Sequence, residues 1–150
     1  MSHHGPFASH WTRRLTDGFP MLAAMQVRVE GHEHAWFLAA PFDPNRNDHG
    51  TAFGGSLSTL TTIAGWMRTN LAAGDDHDVV IQHGNCDFVR PLTGDLFARP
   101  LPVDDLTLQR FSSALARRGR ARLAVQVEIL NDACEQVVLF SGQYVATKLA

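Results

Sequence analysis

The apolar and polar positions alternate in some stretches of the chain and recur at helical spacing in others, and this sorts it into elements. Met25-Gln-Val-Arg-Val-Glu30 alternates apolar with polar, and beyond Gly31 the run from His34 to Ala40 is aromatic and aliphatic. Together they predict a hairpin turning at Gly31, ended by Pro41 and Pro44. The segment Asp43 to Gly50 is dense in Asp, Asn, Pro and Gly and reads as a loop. From Gly54 to about Ala72 the residues Leu57, Leu60, Ile63, Ala64, Met67 and Leu71 fall at helical spacing, with Gly74 placed as a stop. No charge occurs in this helix before Arg68, so it is expected to be wrapped by other structure on most sides.

Further on, Val79 to Leu92 reads as a strand interrupted near Gly84, and Asp95 to Val103 as another ending at Pro100 and Pro102. Leu106 to Arg118 reads as a second, amphipathic helix. Leu123 to Ile129 alternates strictly, and Gln136 to Thr147 closes a hairpin with it. The first 20 residues read as a lead-in. The fold class expected is α+β: an antiparallel sheet of mostly sequence-adjacent strands curled round one long helix, with an extra helix before the last two strands. With no repeat, low-complexity tract or linker, residues 1–150 read as one domain.

Composition narrows the function. The chain is 45% hydrophobic and 19% charged, with 13 basic against 15 acidic residues, a balance that disfavours a nucleic-acid partner. The charge-free run Thr51 to Met67 is too rich in Ser, Thr and Gly to read as a membrane span. The start Met1-Ser-His-His lacks the pattern of a secretory signal, and Cys86 and Cys134 form no CxxC pair, so a cytoplasmic protein with reduced, small, buried cysteines is expected. His32 and His34, two apart on one strand face, are two ligands without a third, and no metal is expected.

The chemistry concentrates in Asn47-Asp-His-Gly50-Thr-Ala-Phe53-Gly54-Gly55-Ser-Leu57, which runs straight into the long helix. Gly54 and Gly55 at a helix start leave backbone N–H groups open to a carbonyl oxygen at the positive end of the dipole. The Gly55 N–H is the candidate oxyanion donor, and the Asn47 amide could point at the same oxygen. The bland alternatives are a tight turn at the glycines and a turn or capping role for Asn47.

This segment resembles the hot-dog fold of acyl-thioesterases, in the YiiD C-terminal-like branch. Relatives commonly carry NxxGxxHGG followed by a helical carboxylate, and here the pattern is NxxGxxFGG. Asp87-Phe-Val-Arg90-Pro and Gly94-Asp95 are similar to the family's strand, turn and strand. The resemblance covers nearly the whole chain. It implies action on thioesters of acyl-carrier protein or coenzyme A, without an organic cofactor, by a homodimer or possibly a tetramer with sites at the subunit interface. Some members of that branch are malonyl-acyl-carrier-protein decarboxylases.

The departures from the pattern carry most weight. Phe53 stands where many relatives have His, and nine residues further on, where relatives place their carboxylate, stands Thr62. No Asp or Glu occurs between Thr51 and Asn70. Hydrolysis needs a general base, which Thr62 cannot be at neutral pH. Decarboxylation of a malonyl thioester needs oxyanion donors and no base, and a further carboxylate would repel the substrate. The preferred expectation is therefore malonyl decarboxylation with Asn47 and Gly55 as donors, Phe53 and Gly54 as walls and Thr62 holding the malonyl carboxylate or a water. Thr62 could equally be a hydroxyl bonded back to its own helix. The alternatives are hydrolysis, with Asp48 as base, and a binding module without turnover. His49 is a candidate substrate contact. Arg117, Arg118, Arg120 and Arg122, with Arg90 and Arg99 as weaker candidates, could take a phosphopantetheine phosphate or the acidic face of a carrier protein.

Overall fold

A computed structural model describes residues 5–150. The long apolar pattern becomes α3 (Gly54–Ala73), and Gly74, at φ +92°, ends it. Around it curls one six-stranded sheet, β1 (Arg28–His32), β2 (Ala35–Ala40), β3 (His77–Phe88), β4 (Leu96–Pro100), β5 (Arg120–Leu130) and β6 (Gln136–Lys148). The order is β1-β2-β4-β5-β6-β3 and every pairing is antiparallel. α3 packs against β3, β4, β5 and β6, and Leu60, Ala64 and Met67 are completely buried. The extra helix, α4 (Asp105–Arg118), is capped by Asp104, whose carboxylate accepts from Thr107 N–H, and packs on β5 with Phe111 and Leu115 buried. Strict alternation along β5 puts Leu123, Val125, Val127 and Ile129 in the core.

Three expectations need correction. The lead-in carries structure: α1 (Pro6–Gly18) and α2 (Pro20–Met25) each begin with proline at the position where a missing N–H costs nothing. Residues 1–4 of the lead-in lie outside the described residues. Ala8, Trp11 and Leu15 are buried, with the Trp11 ring edge-on to Trp66 at 6.5 Å and the Arg14 guanidinium 4.4 Å above Trp11. The first hairpin turns at Glu33–His34 rather than at Gly31, so His32 and His34 do not share a strand. Gly31 stays in β1 at φ +99°, where a Cβ would collide with the Ala35 backbone across the ladder. Cys134 is exposed in the β5–β6 turn at φ +60°, and only Cys86 is partly buried.

β3 leaves its sequence neighbours and pairs with β6 at the end of the sheet. Its register shifts between Ile81 and His83, close to the break expected near Gly84. The outer edge of β3 has no partner among the described residues, and Val80, Ile81 and Phe88 are exposed on this strand.

Candidate thioester site

The motif loop is held from inside. Asn45 is buried, and its amide donates to the carbonyls of Met25 and Pro41 at 2.9 and 2.8 Å. The backbone carbonyl of Asn45 accepts from Phe53 N–H at 2.8 Å, and Ala52 N–H reaches Leu92 C=O at 2.8 Å. Asp95 accepts from Phe42 N–H at 2.8 Å, tying the loop's approach to the start of β4. Nothing in the sequence singles out Asn45, because a buried asparagine inside a run of turn residues has no periodic signature.

Asn47 organises the next turn. Its side-chain carbonyl accepts from the N–H groups of His49 and Thr51 at 2.8 and 3.1 Å, and its amide donates to Thr51 Oγ1 at 2.8 Å. The turn role is thus real, while one of the two amide hydrogens remains for a ligand. Asp48 and His49 lie exposed at the loop tip, 3.6 Å apart as an ion pair when the histidine is charged.

Phe53 is the residue before α3 and offers no side-chain cap. Among the described residues nothing accepts from the N–H groups of Gly54, Gly55 and Ser56, and the first helical bond runs from Leu57 N–H to Phe53 C=O. Three donors at the positive end of a 20-residue helix are therefore left unbonded among the described residues. The Phe53 ring folds over Gly55, where any Cβ would run into it, and the Phe88 ring lies 3.8 Å from the Cβ position of Gly54. Both rings are 55% exposed, so the helix start carries two exposed aromatic side chains. Phe88 is the contributor that sequence reasoning missed. It enters only through the pairing of β3 beside α3.

Deeper along α3, Thr61 is buried, bonds back to the carbonyls of Leu57 and Ser58, and stands 3.7 Å from Cys86 Sγ. Burial pushes the Cys86 thiol up and Asp87 adds to this, against a smaller opposing effect of the Thr61 hydroxyl. Such a thiol stays protonated at neutral pH and is no nucleophile. Thr62 lies two turns from Gly55 on the same helix face, about 10 Å away. Its side chain is not bonded back to the helix, and its backbone carbonyl accepts from Tyr144 OH at 2.6 Å.

The arginines do not gather at this helix start. Arg90 is paired with Glu135 at 2.8 Å, fastening the end of β3 to the β5–β6 turn. Arg117, Arg118 and Arg120 are exposed beside Gly119, whose surroundings include Ala72 and Ala73 at the far end of α3. From Gly55 to Ala73 the helix runs about 27 Å. Within one chain the arginine cluster and the three donors are at opposite ends of the molecule.

An antiparallel sheet wrapped round a long central helix, with unsatisfied N–H groups at the helix start, defines the hot-dog thioesterase class. The model of the family described as "Putative thioesterase (yiiD_Cterm)" matches residues 8–148, and the chain belongs to that family. A protein of unknown function from Chlorobaculum tepidum is similar at 30% identity and a TM-score of 0.87, the match covering 93% of each chain. A probable thioesterase from Pseudomonas aeruginosa is similar at 21% identity and a TM-score of 0.79, covering 97% of this chain and 99% of that one. A Bacillus halodurans protein solved with CoA matches at 18% identity and a TM-score of 0.67, covering 87% of this chain and 80% of that one.

Proposed function

We propose that the protein acts on acyl thioesters of a carrier protein or coenzyme A, and that its reaction is decarboxylation of a malonyl thioester to an acetyl thioester. The observation that carries this reading is the pairing of three N–H donors that lack an acceptor among the described residues with the Phe53 and Phe88 rings, at the start of a helix, Gly54–Ala73, that contains no carboxylate. In the reaction the bond between the malonyl α-carbon and its carboxylate breaks. Its electron pair moves into the thioester, carbon dioxide leaves, and the enolate oxygen is held by Gly55 N–H and the spare hydrogen of Asn47. The α-carbon then takes a proton from solvent. The aromatic walls Phe53 and Phe88 favour loss of the charged carboxylate as a neutral gas. Thr62 contributes a hydroxyl to the carboxylate before it leaves.

Hydrolysis is the second reading. Membership of a thioesterase family supports it, as does Asp48 beside His49 on the loop tip. The two readings separate on product: intact acetyl-carrier thioester for the first, free carrier thiol and free acid for the second. Binding without turnover would leave every thioester unchanged.

The proposal includes a homodimer. The free edge of β3 carries exposed Val80, Ile81 and Phe88 beside unpaired backbone groups, and a second β3 run antiparallel would cover both. In a centred pairing the partner subunit's Arg120 lies three strand spacings, roughly 14 Å, from Phe88. A guanidinium cluster brought in from the partner in this way meets the phosphate of the substrate's arm. Sedimentation tests the dimer, and incubation with malonyl-carrier protein tests the reaction.

A further inference from the structure

A second site lies on the other side of α3, and it rests on neither reaction. β2 and β4 pair only from Leu38–Ala40 to Leu96–Ala98. Beyond Ala98 the chain carries Pro100 and Pro102, which have no N–H to give a ladder, so the two strands part. The opening is a groove of about 790 Å³, walled by Phe37 on one side and by Pro100, Leu101 and Val103 on the other.

Into this groove α3 sends Arg68. The side chain is half-buried, and burial lowers the pKa of its guanidinium. Among the described residues it has neither an ion-pair partner nor a hydrogen-bond acceptor. Arg99 lines the same groove directly opposite Glu128 across the β4–β5 ladder, yet the two do not pair. Glu128 instead accepts from Gln136 Nε2 at 3.2 Å. His34 is the remaining titratable group on the wall. Two guanidinium charges against one carboxylate leave an excess of one positive charge with the histidine neutral. A partly desolvated guanidinium without an acceptor is left short of hydrogen bonds that an oxyanion supplies in fork geometry.

We propose that this groove binds a singly charged carboxylate with an apolar tail, of the fatty-acid class. The head is taken by Arg68 and Arg99, and the tail lies on Phe37, Pro100, Leu101 and Val103. The single net charge favours a monoanion over a phosphate dianion, and the proline and aromatic walls provide for the hydrocarbon. Arg68 lies 13 residues beyond Gly55, about 20 Å along the helix, so this site is separate from the thioester site.

The test is calorimetric titration of the full chain with sodium octanoate, octanol and inorganic phosphate, on the wild type, Arg68→Met and Arg99→Met. Methionine keeps the apolar stem of Arg68, and Arg99 is exposed, so at least one variant retains the fold, which circular dichroism checks. Octanoate is expected to bind the wild type and to bind each variant about tenfold more weakly, as loss of a charged hydrogen bond implies. Octanol and phosphate are expected to bind much more weakly than octanoate. Equal octanoate affinity in a folded variant places the fatty acid elsewhere and overturns the proposal. So does octanol binding as well as octanoate, phosphate binding as tightly, or no binding of octanoate at all.

Discussion

The hydroxyl of Tyr144 on β6 donates to the backbone carbonyl of Thr62 in the middle of α3, at 2.6 Å, across the gap that Gly65 leaves. A Cβ on Gly65 would strike that hydroxyl. This contact fixes how close the central helix lies to the sheet, and therefore where the start of α3 meets Phe88. Replacing Gly65 with Ala should destabilise the fold by about 1–3 kcal/mol through overpacking, although alanine is the better helix former. Tyr144→Phe should cost about 1 kcal/mol. Urea denaturation midpoints check both.

Burial also makes the Tyr144 phenol hard to ionise, raising its pKa well above the ordinary value, with the nearby Cys86 adding to the effect. The folded chain keeps this proton to higher pH than the unfolded chain, which loses it near 10.0. The stabilisation is therefore complete below that pH and is lost as pH rises above it. Tyr144→Phe should flatten the fall in stability above pH 10.0, measured as thermal midpoints across an alkaline series.

The N-terminal helix should behave as core. Trp11→Ala removes a side chain 5% exposed, with its contacts to Trp66 and Arg14. The expected loss is about 3–5 kcal/mol, read from chemical denaturation.

At the thioester site, Asn47→Asp separates support of the loop from chemistry. The carboxylate still accepts from His49 and Thr51 N–H, while the amide donor is gone. Turnover should fall about 10²–10³-fold with the melting temperature nearly unchanged. Gly55→Ala should also lose activity, because the new methyl displaces the Phe53 ring from over the helix start.

What the sequence disclosed follows from what each residue reports by itself. α3 was legible because Leu57 to Leu71 repeats at helical spacing and Gly74 stops it, and β5 because it alternates without a break. α1 carries the same kind of signal, with Phe7, Ala8, Trp11 and Leu15 at helical spacing, but it lies outside the motif region and reads as a lead-in only when that spacing is not weighed. The Gly31 turn misled because glycine there serves a close approach within the strand, and the turn falls two residues later. At the thioester site, the Gly54–Gly55 start was readable from local motif, but Phe88 belongs to a strand that reaches the site only by pairing with β6. The arginines were adjacent in sequence to one another and far from the loop, and no spacing could tell that α3 sets them at opposite ends.

The most direct test of the proposed reaction is mass spectrometry of malonyl-carrier protein incubated with the purified chain, beside acetyl- and longer acyl-carrier proteins. The malonyl carrier is expected to lose carbon dioxide and appear as intact acetyl-carrier protein, with the other substrates unchanged. Free carrier thiol from any of them, or a malonyl carrier left as it was, would contradict the proposed reaction.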